Sequence, residues 1–177
     1  MHRKHMPLKS LVQIAMMVAV IEVFKLTLSG LPNIELTSFF IICFTLMFGH
    51  RILYVIAVFV LIEGLIFGFG IWWFTYLYLW PLLALGAWLL RKRATTLPLA
   101  LLSGFFGLSF GFLSALTQFL INTPTLGVAS GLYATFAWWV AGIPWDMVHG
   151  ISNFFVMFLL YRPFQVLKTR HLQLHGS

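Results

Sequence analysis

The chain of 177 residues is 61% hydrophobic and only 8% charged, with a mean hydropathy of +0.97. So few polar residues cannot cover a water-facing surface, which excludes a soluble globular domain and indicates an integral membrane protein. The net charge of +7 does not indicate nucleic-acid binding, because the Lys and Arg residues form short clusters beside apolar segments and no basic face.

Six apolar segments are bounded by charges, Gly and Pro, and most are near the roughly 20 residues that a helix needs to cross a bilayer. We therefore predict an all-α membrane protein, a single domain of residues 1–177 that forms a bundle of six transmembrane helices. The predicted spans are residues 8–29, 36–49, 51–69, 71–90, 97–122 and 144–162. We interpret the first as a span and not a signal peptide, because its apolar run continues past Val20 without a convincing cleavage site.

The segment between the last two spans, residues 123–143, is apolar enough to be a seventh crossing, but the charges argue against it. With six spans, every Lys and Arg except Lys25 falls at one end of the bundle, which the positive-inside rule assigns to the cytoplasm. We therefore predict a multi-pass protein of the cell membrane with both termini cytoplasmic. Residues 123–143 become an outside loop that dips into the membrane or lies in its interface, where amphipathic aromatic rings are favoured.

Small residues recur every four positions on several predicted spans, a spacing that lets helices approach closely in lipid. The sets are Ala15 and Ala19 on the first span, Gly64 and Gly68 on the third, and Ser103, Gly107, Gly111 and Ala115 on the fifth. Most are expected to be seams within the chain. The first pair could face either a neighbouring helix or another protein.

All four acidic residues are predicted to lie toward the outside, from the number of helical residues that separate them from the basic ends. They are Glu22 on the first span, Glu35 in the first outside loop, Glu63 on the third span and Asp146 on the last. Pro32 and Asn33 indicate a turn in that loop. Ionisable groups within a membrane are functional candidates, because burying them is costly.

Further polar and aromatic residues share helix faces at this depth, as their spacing of three, four or seven residues indicates. Together they are predicted to line an aromatic and polar cup open to the outside, the usual composition of a small-molecule site. The predicted substrate-binding residues are Glu22, Lys25, Asn33, Glu35, Glu63, Trp72, Tyr76, Gln118, Asn122, Trp138, Trp139, Trp145, Asp146, His149 and Asn153.

Several of these residues also have a structural interpretation. Glu22 and Lys25, three residues apart, could neutralise each other. Asp146 could cap the start of the last span. His149 and Asn153 could bond neighbouring helices.

The sequence has no H-E-x-x-H pair and no Walker motif. Its one cysteine, Cys43, lies in an apolar run and is expected to be a small core residue. We expect no cofactor, no metal and no ATPase activity of the chain itself. An intramembrane enzyme that uses Glu63, His149 and Asp146 as acid–base groups is the alternative. A channel or ion-coupled carrier is disfavoured, because repeated broken helices are missing.

The first and last spans resemble those of the substrate-binding S components of energy-coupling factor (ECF) vitamin transporters. The first contains Ala15-Met-Met-Val-Ala19, similar to the AxxxA pattern with which S components dock on the transmembrane coupling subunit. The last span, GIPWDMVHGISNFFVMFLLYRP, resembles the last span common in S components. The matching residues are Pro144, Asp146, His149 and Asn153 within the span and Tyr161-Arg162-Pro163 at its end. With the six-span layout, the resemblance covers essentially the whole chain.

The resemblance implies a high-affinity vitamin binder that joins a coupling subunit and two ATPase subunits and topples in the membrane to release its cargo inward. It also implies a ligand site near the outside, beneath the loops that join spans one to two, three to four and five to six. The stretches NIELTSFFIICFTLMFG and GFGIWWFTYLYLWP are most similar to a branch associated with cobalamin.

The cargo itself is less specified by the sequence. A wide aromatic cup suits a corrinoid such as cobalamin, and the lack of an arginine-rich outer pocket disfavours a multiply anionic molecule. Lys25 could serve the one carboxylate of pantothenate or biotin. Queuosine precursors and other micronutrients also stay open.

Overall fold

The computed structural model describes residues 6–174, without the side chains of residues 168 and 170–174. Within this range the chain forms six α-helices, two 3-10 turns and no strand, which confirms the all-α prediction. The helices are α1 (Leu8–Thr27), α2 (Thr37–Phe48), α3 (Ile52–Phe67), α4 (Ile71–Leu89), α5 (Thr96–Leu126) and α6 (Val128–Leu174), with the 3-10 turns at Gly49–Arg51 and Leu90–Arg93.

Five helical stretches of the described chain are long and apolar enough to cross a membrane. They are Leu8–Thr27, Thr37–Phe67, Ile71–Arg93, Thr96–Leu126 and Val128–Leu167. The second stretch combines α2, the 3-10 turn and α3, because α2 alone has only 12 residues. The molecule is therefore an all-α protein with several candidate membrane spans.

α1 and α3 run parallel, as contacts at both of their ends establish. Near the start of α1, the Arg51 guanidinium donates a hydrogen bond to Ser10 Oγ at 3.5 Å. Near the end of α1, the Lys25 ammonium pairs with the Glu63 carboxylate in the last turns of α3. The first residues of the two helices therefore lie at one end of the bundle and their last residues at the other.

The chain reverses direction between α2 and α3. The ring of Phe40, near the start of α2, lies 5.2 Å from the ring of Phe24 near the end of α1, so α2 runs against α1 and against α3. The reversal occurs at Gly49, whose φ of 59° is in the left-handed region that glycine adopts without steric cost.

α5 and α6 form a long antiparallel hairpin, and the predicted outside loop at residues 123–143 is wrong. α5 continues to Leu126, the chain turns at Gly127 with a φ of 76°, and α6 begins at Val128. Pro144, where the last span was predicted to start, lies inside α6. A proline does not end a membrane-spanning helix when neighbouring groups satisfy the backbone carbonyl that has lost its N–H partner.

The predicted small-residue seam on α5 is confirmed by its contact with α6. Ser103 and Gly107 are buried, and a Cβ added to Gly107 would lie 2.8 Å from backbone atoms of His149 and Gly150. The third-span pair is different. Gly64 is buried within α3, but Gly68 ends that helix with a φ of 85° and is exposed.

The buried core includes side chains of all six helices and also Cys43, which is fully buried as predicted. The Tyr161 hydroxyl donates to the Ala94 carbonyl at 3.1 Å, which places Arg162 beside the turn Leu90–Arg93. We call this end of the bundle, which also contains Arg51, the basic end. The opposite end, which contains Glu35, Glu63 and Asp146, is the acidic end.

Candidate functional site

Two adjoining cavities open at the acidic end, between the loop after α1, the start of α4, α5 and α6. The first, with a volume of about 400 Å³, is lined by Lys25, Glu35 and Glu63 among others, and we call it the ionic chamber. The second, about 500 Å³, is lined by Trp138, Trp139, Trp145, Asp146 and Gln118 among others, and we call it the tryptophan chamber. Asn33, Trp72, Tyr76, Phe110 and His149 line both.

The ionic chamber contains an ion pair between α1 and α3 in which the carboxylate is buried and the ammonium is partly exposed. Lys25 pairs with Glu63, whose side chain is 1% exposed. The Lys25 ammonium also lies 5.0 Å from the centre of the Tyr76 ring and 5.5 Å from that of Phe59, a distance at which an aromatic face attracts a cation. Lys25 is therefore held in place by the chain's own groups.

Glu22 lies outside both chambers, although the sequence placed it in the site. It is buried, and neither of its carboxylate oxygens has a hydrogen-bond partner among the described residues. The hydrogen-bonded partner of Lys25 is Glu63 on α3, so the alternative partner Glu22, on the same helix as Lys25, makes no direct hydrogen bond with it.

Glu35 connects the loop after α1 to both α2 and α6. Its carboxylate accepts hydrogen bonds from the Ser38 amide at 3.2 Å and from the Ser38 hydroxyl in the first turn of α2. Its Oε1 also lies 3.3 Å from His149 Nε2. Burial raises the pKa of the Glu35 carboxyl, but the hydrogen bond and charge of His149 and the hydrogen bonds of Ser38 and Thr37 outweigh it and lower the pKa to about 2.

The predicted turn at Pro32 and Asn33 is confirmed, and it positions the loop against α6. Asn33 has a φ of 57°, a left-handed conformation that asparagine tolerates better than most residues. Its side-chain amide donates to the Trp145 carbonyl at 3.3 Å, and its own carbonyl accepts from the Ser152 hydroxyl at 3.0 Å. The loop thereby closes one side of both chambers.

Asp146 belongs to the wall of the tryptophan chamber. The predicted cap on the last span is wrong, because α6 starts 18 residues earlier at Val128. The Gly111 amide of α5 donates to Asp146 Oδ1 at 3.0 Å. Asp146 Oδ2 is buried and has no hydrogen-bond partner among the described residues, and the residue as a whole is 9% exposed.

Three predicted amide residues have different placements. Gln118 lines the tryptophan chamber and donates to Asn122 Oδ1 at 3.1 Å. Asn122 donates to Thr135 Oγ1 at 3.3 Å and so bonds α5 to α6 outside the chambers. Asn153, 1% exposed, donates to Ser38 Oγ at 3.2 Å and bonds α6 to α2. Asn122 and Asn153 therefore join helices, as the structural interpretation proposed for Asn153.

Phe110 and Ser114 are among the wall residues that sequence reasoning missed. Phe110 lines both chambers, and its ring lies 4.9 Å from that of His149. Phe110, Ser114 and Gln118 are four residues apart and therefore lie on one face of α5. Stepping back by four from Gln118, which the sequence did single out, would have found both residues.

The three groups of the enzyme alternative do not converge on one cavity. Glu63 lines only the ionic chamber and Asp146 only the tryptophan chamber, while His149 lines both. Among the described residues, no group of three or more His, Cys, Asp or Glu side chains is placed to hold a metal ion. The two chambers combine aromatic walls with a few polar side chains, a composition typical of small-molecule binding cavities.

Comparisons with known proteins do not assign this chain to a family. No protein-family model matches it, and no curated protein or solved structure gives a significant match. The two chambers, together with the resemblance of the first and last spans to S components, are therefore the basis for assigning a function.

Proposed function

We propose that the chain is the substrate-capturing membrane subunit of an ATP-driven importer of the ECF type, and that it binds a vitamin from outside the cell. The observation that supports this most is the pair of adjoining chambers at the acidic end. The positive-inside rule assigns the basic end to the cytoplasm, so the chambers would open to the outside. A site at that face can collect a solute but needs a partner to move it inward.

In this proposal the chain crosses the membrane six times, with both termini cytoplasmic. The reversal at Gly49 supports separate crossings for α2 and α3. α2 spans about 18 Å at 1.5 Å per residue, less than the roughly 30 Å of a hydrocarbon core. Eight of its residues are buried, so a short helix here would be supported by protein neighbours.

The exposed face of α1 supports docking on a coupling subunit. Ala15 and Ala19 are exposed and lie beside the exposed Met16, so the pair does not form a seam between helices of the described chain. Small residues allow the backbone of a partner helix to approach closely in lipid. We assign this face to the ECF transmembrane coupling subunit, which would link the chain to two ATPase subunits.

The cargo favoured by the resemblance is cobalamin. Each chamber is within the size range of small-molecule sites, and a corrinoid would have to occupy both of them together. Pantothenate and biotin are less suited, because each needs a cation for its carboxylate and Lys25 is paired with Glu63.

A binding experiment tests the capture role. Detergent-solubilised protein is titrated with cobalamin, pantothenate, biotin and other water-soluble vitamins, with intrinsic tryptophan fluorescence as the readout. We expect one of them to bind with a Kd below the micromolar range. Failure of every vitamin to bind at micromolar concentration would contradict the proposal.

Bulky substitutions on α1 test the docking role separately. Ala15→Trp and Ala19→Trp are expected to abolish ATP-dependent uptake while vitamin binding stays within about twofold of wild type, because the exposed face is blocked and the chambers are untouched. Leu65→Trp, at an exposed apolar position of α3, is the matched control and should leave uptake intact. Loss of vitamin binding in both alanine variants would mean that the pair supports the fold instead.

A further inference from the structure

We propose that the tryptophan chamber recognises a positively charged nitrogen group, such as a protonated amine, a quaternary ammonium or a charged heteroaromatic ring. This inference rests on the proposed capture function and specifies its substrate class: an organic cation, or a larger molecule that presents such a group. Three features of the described chain support it, namely a half-satisfied buried carboxylate, a tryptophan-rich wall and the charge balance of the acidic end.

The first feature is the carboxylate of Asp146. One oxygen accepts the Gly111 amide at 3.0 Å, while the other is buried without a hydrogen-bond partner among the described residues. A buried carboxylate oxygen without a partner is costly. Asp146 also lines the chamber, so its negative charge would lie next to a cation bound there and attract it.

The second feature is the aromatic wall. Four tryptophans and one tyrosine line the tryptophan chamber: Trp72, Trp138, Trp139, Trp145 and Tyr76. The rings of Trp72 and Tyr76 are perpendicular neighbours at 5.2 Å, so they present differently oriented surfaces. Aromatic faces attract cations within about 6 Å, with tryptophan the strongest, and such cages recognise quaternary ammonium groups.

The third feature is the charge balance. Lys25 and Glu63 form a pair with no net charge. The pair of Glu35 and His149 carries either no net charge or one negative charge, depending on whether the imidazole is protonated. Among the described residues that line the tryptophan chamber, His149 is the one basic side chain and it is paired with Glu35, whereas Asp146 forms no ion pair. The potential of the cavity thus favours cations over anions.

An isosteric series of probes tests the inference on the wild-type protein. Choline, its neutral isostere 3,3-dimethylbutan-1-ol and the anion 3,3-dimethylbutanoate have nearly the same shape and differ in charge. Titrations of solubilised protein are followed by tryptophan fluorescence. We expect choline to bind at least tenfold more tightly than the neutral isostere and the anion to bind more weakly still.

Two matched variants locate the effect. Asp146→Asn keeps an oxygen for the Gly111 amide and is expected to weaken choline binding at least tenfold. Glu22→Gln removes a buried carboxylate that lines neither chamber and should change it less than twofold. Thermal unfolding in detergent checks that both variants fold.

The outcomes separate this inference from the proposed function. Equal binding of choline and its neutral isostere, or an unchanged choline affinity in folded Asp146→Asn, overturns the inference. If a vitamin nevertheless binds in the micromolar range, the capture function stands. If no vitamin and no probe binds, both proposals fail.

Discussion

Two helix pairs contribute to the walls of the chambers, and different contacts hold each pair together. α1 and α3 run parallel and are joined by the ion pair of Lys25 with the buried Glu63. α5 and α6 run antiparallel and meet at glycines, with Gly107 against the backbone of Gly150. The first contact is electrostatic and depends on two particular side chains, whereas the second depends on the absence of side chains.

The comparison shows how two helix pairs can associate where the hydrophobic effect between helices is weak. In lipid, close packing at small residues and polar contacts between helices provide much of the association energy. Opposite kinds of substitution should therefore destabilise the two pairs. Removing a side chain should weaken the contact of α1 with α3, and adding one should weaken the contact of α5 with α6.

The largest effect is expected from Lys25→Met. This change leaves the carboxylate of Glu63, 1% exposed, without its ionic partner, and breaking a buried pair in this way typically costs 3–5 kcal/mol. The free energy of unfolding should fall by about 4 kcal/mol, measured in detergent at pH 7.

The matched control for Lys25→Met is the double variant Lys25→Met/Glu63→Met. Replacing both members of a buried ion pair by apolar groups is often neutral, so most of the lost stability should return. A double variant as unstable as Lys25→Met would show that the unpaired carboxylate is not the cause.

The glycine seam gives the next effect, with Gly107→Ala. The added Cβ would lie 2.8 Å from backbone atoms of His149 and Gly150, so α5 and α6 must separate. Overpacking of this kind costs about 1–3 kcal/mol, and the thermal midpoint should fall accordingly.

Gly142→Ala is the matched control for the seam. It adds the same methyl group to α6 at a position with no atom within 4 Å, and the higher helix propensity of alanine should make it neutral or stabilising by up to about 1 kcal/mol. If both variants were equally stable, close approach at Gly107 would not hold the hairpin together.

The same contrast explains what the sequence could predict. The seam of α5 was found because residues four apart share a helix face whatever surrounds the helix. For Lys25 the sequence offered Glu22, three residues away, as one possible partner, because only neighbours along one helix are visible in a sequence. Glu63 becomes its partner through the parallel packing of α1 and α3, which no local pattern encodes.

The hairpin boundary was missed for a related reason. Between Arg93 and Asp146 the chain has no Lys, Arg, Asp or Glu, so charge gives no information about where α5 ends. Only Gly127 permits the turn by its conformation. Most of the polar and aromatic residues that line the two chambers were singled out, because they are conspicuous in an apolar chain, whereas Phe110 is one apolar residue among many.

The last effect arises only at low pH and concerns the loop after α1, through Glu35. The pKa of its carboxyl is lowered from 4.5 to about 2 in the folded chain. The contribution of the Glu35 carboxyl to the free energy of unfolding is therefore complete above the pKa that it has in the unfolded chain. It is lost as the pH falls toward 2. The wild type should lose roughly 2 kcal/mol between pH 7 and pH 3 through this group. Glu35→Gln should show a correspondingly flatter pH dependence of thermal unfolding. Parallel pH curves for the two proteins would mean that the contacts of Glu35 with Ser38 and His149 do not link the loop to α2 and α6.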